Sequence, residues 1–321
     1  MTRVAVLGAG AWGTAIAVVL AGRLDVTLWA RDPAQADAIA RTRRNERYLP
    51  KVDLPAAVQV SADFPAKADL FLAATPVAGL REVLQRKKTP IVWLCKGFEQ
   101  GTGLLPHQMA EQTLGAGARC GALSGPSFAE EVARGLPCAL TLAARDAGFA
   151  REAAAIVHGG RLRVYYSADL VGVEIGGAVK NVMAIAAGIS DGLGLGYNAR
   201  AALITRGLAE IARLGAALGG SADTIFGLTG AGDLILTATG DLSRNRRVGM
   251  ELAQGKKLEP ILAALGHVAE GVQSAREVAK LAKARGIEMP VTDAVNAVLE
   301  GKLTPKAAVE QLLSRDAKQE R

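Results

Sequence analysis

Six residues near the start of the chain, Gly8-Ala9-Gly10-Ala11-Trp12-Gly13, place three glycines at the spacing that lets a backbone close around a phosphate. The apolar run 4–7 leads into them, and an Ala/Val/Leu-rich helical pattern follows from Trp12. In that setting Gly8 permits a tight turn, Gly10 admits a pyrophosphate, and Gly13 lets the helix pack close to the strand. The helix N-terminus adds free N–H groups and a partial positive charge. The expectation is a dinucleotide site, and a purely structural glycine turn is the alternative. A second apolar run ends in Trp29-Ala30-Arg31-Asp32. An acidic residue there binds a ribose 2′-hydroxyl, and an arginine binds a 2′-phosphate. Arg31 comes first, and Asp32 is also suited to capping the next helix. NADP or NAD is the expected cofactor, with the balance towards NADP.

Lys180 is the one charged residue between Glu174 and Asp191, in a segment of Gly, Ala, Val and Ile. Burial there would push its amine below the usual lysine range and suit it to general acid–base work; snorkelling to solvent is the alternative. Asn181 beside it can orient a substrate oxygen. Ser243-Arg244-Asn245-Arg246-Arg247 offers a hydroxyl, an amide and three guanidinium forks at a helix start, chemistry that suits a phosphate monoester. A basic solvated turn is the plainer reading. In Thr229-Gly230-Ala231-Gly232-Asp233 two glycines suggest a tight turn presenting Asp233, which could equally cap the next helix. Lys96 and the Gly125/Ser127 backbone follow predicted strands, where ligands collect in open α/β sheets.

Other chemistries are poorly supplied. His107, His158 and His267 are isolated, with no evident His/carboxylate pair, so no catalytic metal is expected. Cys95, Cys120 and Cys138 form no CxxC pair, which favours a reducing compartment over a disulfide framework. Cys95 has no nearby base to make it a nucleophile. The formal charge of +7 is mild for 321 residues, and aromatics are only 4%, too few for base stacking, so no nucleic acid partner is expected.

These residues need elements to position them. The apolar runs 4–7, 26–30, 58–61, 70–74, 91–94, 118–123, 139–142 and 162–166 read as strands. Stretches such as 12–21, 77–85, 106–113 and 147–157 are long enough for helices between them. That alternation predicts an α/β fold: an N-terminal Rossmann-like, mostly parallel sheet domain over 1–175. From residue 170 only helical patterns follow: 173–189, 199–218, 245–254, 258–265, 273–285, 291–300 and 305–314. They predict an all-helical C-terminal domain over 176–321, with a frayed charged tail from Arg315. The uncharged stretch 4–22 could pass for a membrane anchor, but its three glycines favour strand–turn–helix. No other stretch is expected to span a bilayer, so the expectation is a cytoplasmic protein without membrane insertion.

Taken together, GAGAWGTA at 8–15, CKG at 95–97, SGPSFA at 124–129, GAVKNVMAIAAG at 177–188, NARAALITRGL at 198–208, TGAGDLILT at 229–237 and SRNRRVG at 243–249 resemble bacterial-type NAD(P)-dependent glycerol-3-phosphate dehydrogenases. The resemblance covers about residues 2 to 310. It implies hydride transfer between sn-glycerol 3-phosphate and dihydroxyacetone phosphate, which supplies phospholipid synthesis. It makes Lys180 the proton acceptor in oxidation and the donor in reverse. It places Lys96, Gly125, Ser127 and Asp233 at the substrate, and Ser243, Arg244 and Asn245 on its phosphate. It assigns Gly8, Gly10, Trp12, Gly13, Arg31, Lys96, Ala129, Arg244, Val268 and Glu270 to the cofactor, and a homodimer is expected. Ala238, where many members carry Cys, and the Gly240-Asp241 loop depart from the family pattern. Two rivals stay open: a dehydrogenase of an unphosphorylated hydroxy acid or sugar acid, and a nucleotide sensor without turnover.

Overall fold

A computed structural model of the chain describes residues 1–86, 88–265, 269–316 and 319. It divides into two compact units, one made of 1–99 and 104–174, the other of 100–103 and 175–321.

The first unit is an α/β sheet structure. In chain order it contains β1 (Arg3–Leu7), α1 (Ala11–Leu20), β2 (Asp25–Trp29), α2 (Pro33–Thr42), β3 (Arg44–Asn45), β4 (Leu49–Asp53), β5 (Val58–Ser61), β6 (Leu70–Ala73), α3 (Val77–Gln85) and β7 (Ile91–Trp93). Then come α4 (Pro106–Leu114), β8 (Cys120–Ser124), α5 (Ala129–Ala133), β9 (Cys138–Ala143), α6 (Ala147–Val157) and β10 (Leu162–Ser167). Eight strands form one sheet in the order β10-β9-β8-β7-β6-β1-β2-β5. Every pairing in it is parallel except β8 with β9.

The strands are apolar on both faces because both faces are covered. Val4 and Val6 pack with α1, α2 and α6 residues such as Ile16, Leu20, Ile39 and Phe149. Ala5 and Leu7 point the other way, to Leu80 and Leu84 of α3 and Met109 of α4. Each fully buried Leu or Val side chain stabilises this arrangement by about 1.5–3 kcal/mol. Strand order reverses between β1 and β6, and in such a sheet the crevice at the carboxyl ends of the strands is where a ligand fits.

Several boundaries differ from the sequence expectation. The helix that Asp32 was suited to cap is α2, but no element was expected between it and residue 57, where the antiparallel hairpin β3–β4 lies. The hairpin covers Trp12 and Ala15 of α1 with Leu49 and Val52. The stretch 4–22 is strand–turn–helix, with Leu7, Ile16 and Leu20 buried. The expectation that no other stretch could span a bilayer needs correction. Leu170–Gly192, 23 residues, is long and apolar enough by composition, and nearly all of it is buried inside the protein as a core helix.

That helix is α7, the first long element of the helical part. It is followed by α8 (Gly196–Ala217), α9 (Ala222–Phe226), a π-helical turn (Leu228–Gly232), α10 (Asp233–Thr239), α11 (Arg244–Ala253), α12 (Leu258–Leu265), α13 (Glu270–Ala284), α14 (Pro290–Leu299) and α15 (Pro305–Leu313). The N-terminus of α14 is satisfied from outside: Glu210 of α8 accepts from the Val291 and Thr292 amides at 2.6 and 3.1 Å. Burial pushes that carboxyl above the usual range, and those bonds oppose the rise.

Candidate functional site

In the sheet unit the glycine turn has the geometry of a phosphate cradle. Gly8 adopts φ +123°, where a side chain would also meet the Ala74 carbonyl oxygen at 2.9 Å. A Cβ at Gly13 would lie 1.9 Å from the Gly8 carbonyl oxygen, so the first turn of α1 rests directly on the loop. A Cβ at Gly10 would meet nothing within 4 Å. Gly10 is also the N-cap of α1 and supplies no side-chain cap, and the first turn carries no acidic residue. The leading N–H groups of α1 therefore have no capping side chain at a positive dipole end, which fits a dinucleotide pyrophosphate.

These three environments make separable predictions. Gly13→Ala is expected to destabilise the protein by about 1–3 kcal/mol or more through overpacking. Gly10→Ala is expected to leave stability within about 0.5 kcal/mol. It should nevertheless weaken NADH binding by about 10-fold or more, the value of one charge-assisted hydrogen bond. Urea melts and NADH fluorescence titration check both; unchanged NADH affinity in Gly10→Ala would reject the cradle.

Sequence reasoning missed what braces this turn. Asn45 of β3, only 1% exposed, donates from Nδ2 to the Ala9 carbonyl at 2.9 Å and to Thr14 Oγ1 at 2.7 Å. Gln35 donates to the same carbonyl at 2.8 Å. The contact spans 36 residues and leaves no local signature. Trp12 and Ala129 are brought into one small cluster with Leu49 and Val52. Asp32 is the N-cap of α2, accepting from the Ala34 amide at 3.0 Å. Arg31 is 76% exposed, 3.5 Å from Glu82. Both charges beside the end of β2 are exposed, and the acid also caps α2. Val268, expected at the cofactor, lies outside the described residues.

At the ends of β7 and β8, Lys96 Nζ donates to the Gly125 carbonyl at 3.1 Å, and Ser127 Oγ donates to the same oxygen at 3.0 Å. Gly125 holds φ +142°, so the turn is one a side chain would strain. A small pocket beside it is lined by residues including Cys95, Lys96, Ser124 and Glu174. Here one expectation is overturned: His107 is not isolated. It pairs through Nδ1 with Glu174 Oε2, while its backbone N–H and Trp93 Nε1 each donate to Glu174 Oε1 at 2.9 Å. The partners are 67 residues apart, beyond any spacing rule. Burial pushes the Glu174 carboxyl above the usual range, and the bonds from His107 and Trp93 oppose the rise. Burial likewise pushes the nearby Cys120 thiol up to about 11.

In the helical unit Lys180 is buried midway along α7. Its Nζ donates to Asp233 Oδ1 at 2.9 Å and to Thr237 Oγ1 at 2.7 Å. Asp233 and Thr237 are one turn apart on α10 and so share a face. The amine is therefore buried as expected, but the apolar run of α7 hides a charge partner that arrives from another helix. Asp233 does not cap α10; Gly232 holds the N-cap position, and the carboxylate is committed to Lys180. The loop before it is a π-helical turn, wider than the tight turn expected from its glycines. Thr237 was not anticipated; its signal is the four-residue step from Asp233.

At the start of α11, Ser243 is the N-cap, accepting from the Arg246 amide at 3.2 Å. Asn245 Oδ1 accepts from the Gly271 amide at 3.1 Å, and its Nδ2 donates to Asn181 Oδ1 at 3.0 Å. Asn181 Nδ2 continues to Glu270 Oε2 at 3.4 Å. The three guanidinium forks do not act alike. Arg246 turns inward to Asp191 at 2.7 Å, and Arg247 binds Glu251 at 2.8 Å. Arg244 is exposed and makes no hydrogen bond or ion pair with the described residues. It projects from the first turn of a helix, where an anion is favoured.

The family models for the N-terminal and C-terminal parts of NAD-dependent glycerol-3-phosphate dehydrogenase match residues 3–150 and 169–310. The chain is 59% identical to a protein of Dechloromonas aromatica named glycerol-3-phosphate dehydrogenase (NAD(P)+), with 99% of each covered. It is also 59% identical to one of Aromatoleum aromaticum with the same name, covering 99% of this chain and 100% of that protein. The crystal structure of glycerol-3-phosphate dehydrogenase from Coxiella burnetii superposes with a TM-score of 0.92 at 42% identity, covering 98% of this chain and 99% of that one.

Proposed function

This chain belongs to the NAD-dependent glycerol-3-phosphate dehydrogenase family, and from that premise we propose how its own residues carry the reaction. It is an NAD(P)-dependent oxidoreductase that interconverts sn-glycerol 3-phosphate and dihydroxyacetone phosphate. NAD(P), when bound, supplies or accepts the hydride at the substrate's second carbon. Gly8, Gly10, Trp12, Gly13, Arg31, Lys96, Ala129, Arg244, Val268 and Glu270 are the residues assigned to hold it.

Lys180 takes the proton from the C2 hydroxyl in oxidation and returns it to the ketone oxygen in reduction. Asp233 and Thr237 fix the direction of its nitrogen, so the amine meets one oxygen rather than sampling rotamers. Arg244 and the first turn of α11, capped by Ser243, grip the phosphate; Asn245 holds that turn to Asn181 and Gly271. Binding a remote phosphate orients the reacting carbon. Lys96, Gly125 and Ser127 are assigned to the polar end of the substrate. The observation that carries the reading is the buried Lys180–Asp233–Thr237 cluster, since a protein that only binds nucleotides has no need of an amine so placed.

The finer reading is ours as well. Residues 1–175 bind the dinucleotide and 176–321 the substrate. The exposed Arg31 supports acceptance of NADPH beside NADH. The product supplies phospholipid synthesis in the cytoplasm. Exposed Leu195, Tyr197, Phe226 and Ile235 on the helical unit support a homodimer. The test is oxidation of NADH and of NADPH driven by dihydroxyacetone phosphate, run beside unphosphorylated dihydroxyacetone. Turnover selective for the phosphorylated ketone is expected. Equal rates with both ketones would favour a hydroxy-acid type of dehydrogenase, and no turnover with either cofactor would reject the reading.

A further inference from the structure

Helices α7 and α11 touch backbone to backbone. A Cβ at Gly188 would lie 1.9 Å from the Arg246 carbonyl oxygen, and one at Gly249 2.1 Å from that of Ile185. One at Gly192 would lie 2.7 Å from Ala253 Cβ. Such a contact admits only the glycine face of α11, and side-chain bonds at its edge set the remaining rotation of the helix about its axis. Asp191, between Gly188 and Gly192 in sequence, supplies the direction. Its Oδ2 accepts from Arg246 Nε at 2.7 Å, and its Oδ1 takes Arg200 through Nε and Nη2 at 2.7 and 2.6 Å. The Asp191 and Arg246 side chains are 6% and 12% exposed. The Arg246 backbone amide is also the donor to the Ser243 cap.

We propose that Asp191 is a specificity-determining positioning residue, which latches Arg246 inward and so fixes the rotation of α11 that turns Arg244 towards the substrate's phosphate. At about 100° per residue, side chains two positions apart leave a helix roughly 200° apart. Holding Arg246 against α7 therefore sends Arg244 to the opposite side. The carboxylate also keeps Arg246 and Arg200 from competing for the same anion, which leaves one oriented fork rather than a loose basic patch. This inference rests on the assignment of Arg244 to the phosphate.

The test compares the full-length wild type with Asp191→Asn and with the double variant Asp191→Asn/Arg246→Met. In Asp191→Asn the KM for dihydroxyacetone phosphate is expected to rise by about 10-fold or more, as for a misaligned charge-assisted pair. The kcat should move less than about threefold, since Lys180 is untouched, and the KM for NADH, to which Arg244 is also assigned, should rise less than that for dihydroxyacetone phosphate. Asp191→Asn leaves Arg200 and Arg246 without their shared carboxylate, although Arg246 also meets Asp241 at 3.1 Å; the double variant removes one of these two guanidiniums, so its Tm should recover in part while the raised KM persists. Recovery of KM together with Tm would assign Asp191 a purely structural part and overturn the proposal. An unchanged KM in Asp191→Asn, or an equal rise for NADH, would do the same. The rise in Tm given by inorganic phosphate reads the latch without turnover: present in the wild type, lost in Asp191→Asn. A wild type stabilised by phosphate but inactive would sink the enzyme reading alone, whereas a variant that keeps the phosphate shift would sink the latch alone.

Discussion

Replacing Lys180 by alanine is expected to lower kcat by about 100- to 10,000-fold, the range for loss of a positioned general acid–base group, with NADH still bound. The variant also strands a charge. Asp233 is 2% exposed, and removing its ammonium partner leaves a buried carboxylate uncompensated, at a cost of about 3–5 kcal/mol. A poor rate in Lys180→Ala alone would therefore confuse lost chemistry with lost stability. Lys180→Met/Asp233→Asn separates them. It removes both charges at similar volume, and its urea midpoint is expected to return towards the wild type while turnover stays at the level of the single variant. Stopped-flow reduction of dihydroxyacetone phosphate and NADH fluorescence give the readouts. Recovery of the rate in the double variant, or near-normal turnover in Lys180→Ala, would remove Lys180 from the chemistry.

Arg244→Ala is the second large effect, and it is expected to act on binding and orientation with little change in folding. The side chain is exposed, and its loss should shift stability by no more than about 0.5 kcal/mol. A guanidinium fork on a phosphate makes two charge-assisted bonds of about 1.5–3 kcal/mol each. The kcat/KM for dihydroxyacetone phosphate should therefore fall by at least about 100-fold. Arg244→Lys should recover only part of this, because an ammonium is a point charge without the planar fork. The control is unphosphorylated dihydroxyacetone, whose kcat/KM should hardly move. A parallel loss with both ketones would assign Arg244 to something other than the phosphate.

Local signals were legible and distant ones were not. The run from β1 through Gly13 into α1 could be read because every part of its chemistry is contained in a few consecutive residues. The cap at Ser243 and the long helices of the second unit follow from similarly short-range patterns. By contrast, α2 buries only Ala36 and Ile39, too few apolar positions to show a period. The β3–β4 hairpin has strands of two and five residues rich in charge, and it reads as loop. The antiparallel pairing of β9 was hidden because CALTLA has the composition of its parallel neighbours; direction is set by how the chain returns, which a strand's own residues do not encode. Lys180 was singled out by its apolar surroundings, yet its partner is 53 residues away. His107 with Glu174 was misread for the same reason. The guanidinium cluster was legible as a cluster, but the inward turn of Arg246 depends on Asp191, on a different helix.

The brace from Asn45 to Ala9 and Thr14 bears on how tightly a nucleotide can be held. A loop that must stiffen on capture surrenders chain entropy at that moment, about 1–2 kcal/mol for each residue immobilised. Here the amide of a separate hairpin has already stiffened it before any ligand arrives. Transplanting residues 1–30 into a foreign scaffold would carry the glycine signature but leave this preorganisation behind. Such a chimera should pay for ordering at the binding step, and calorimetry would show it as a larger entropic penalty against a similar heat.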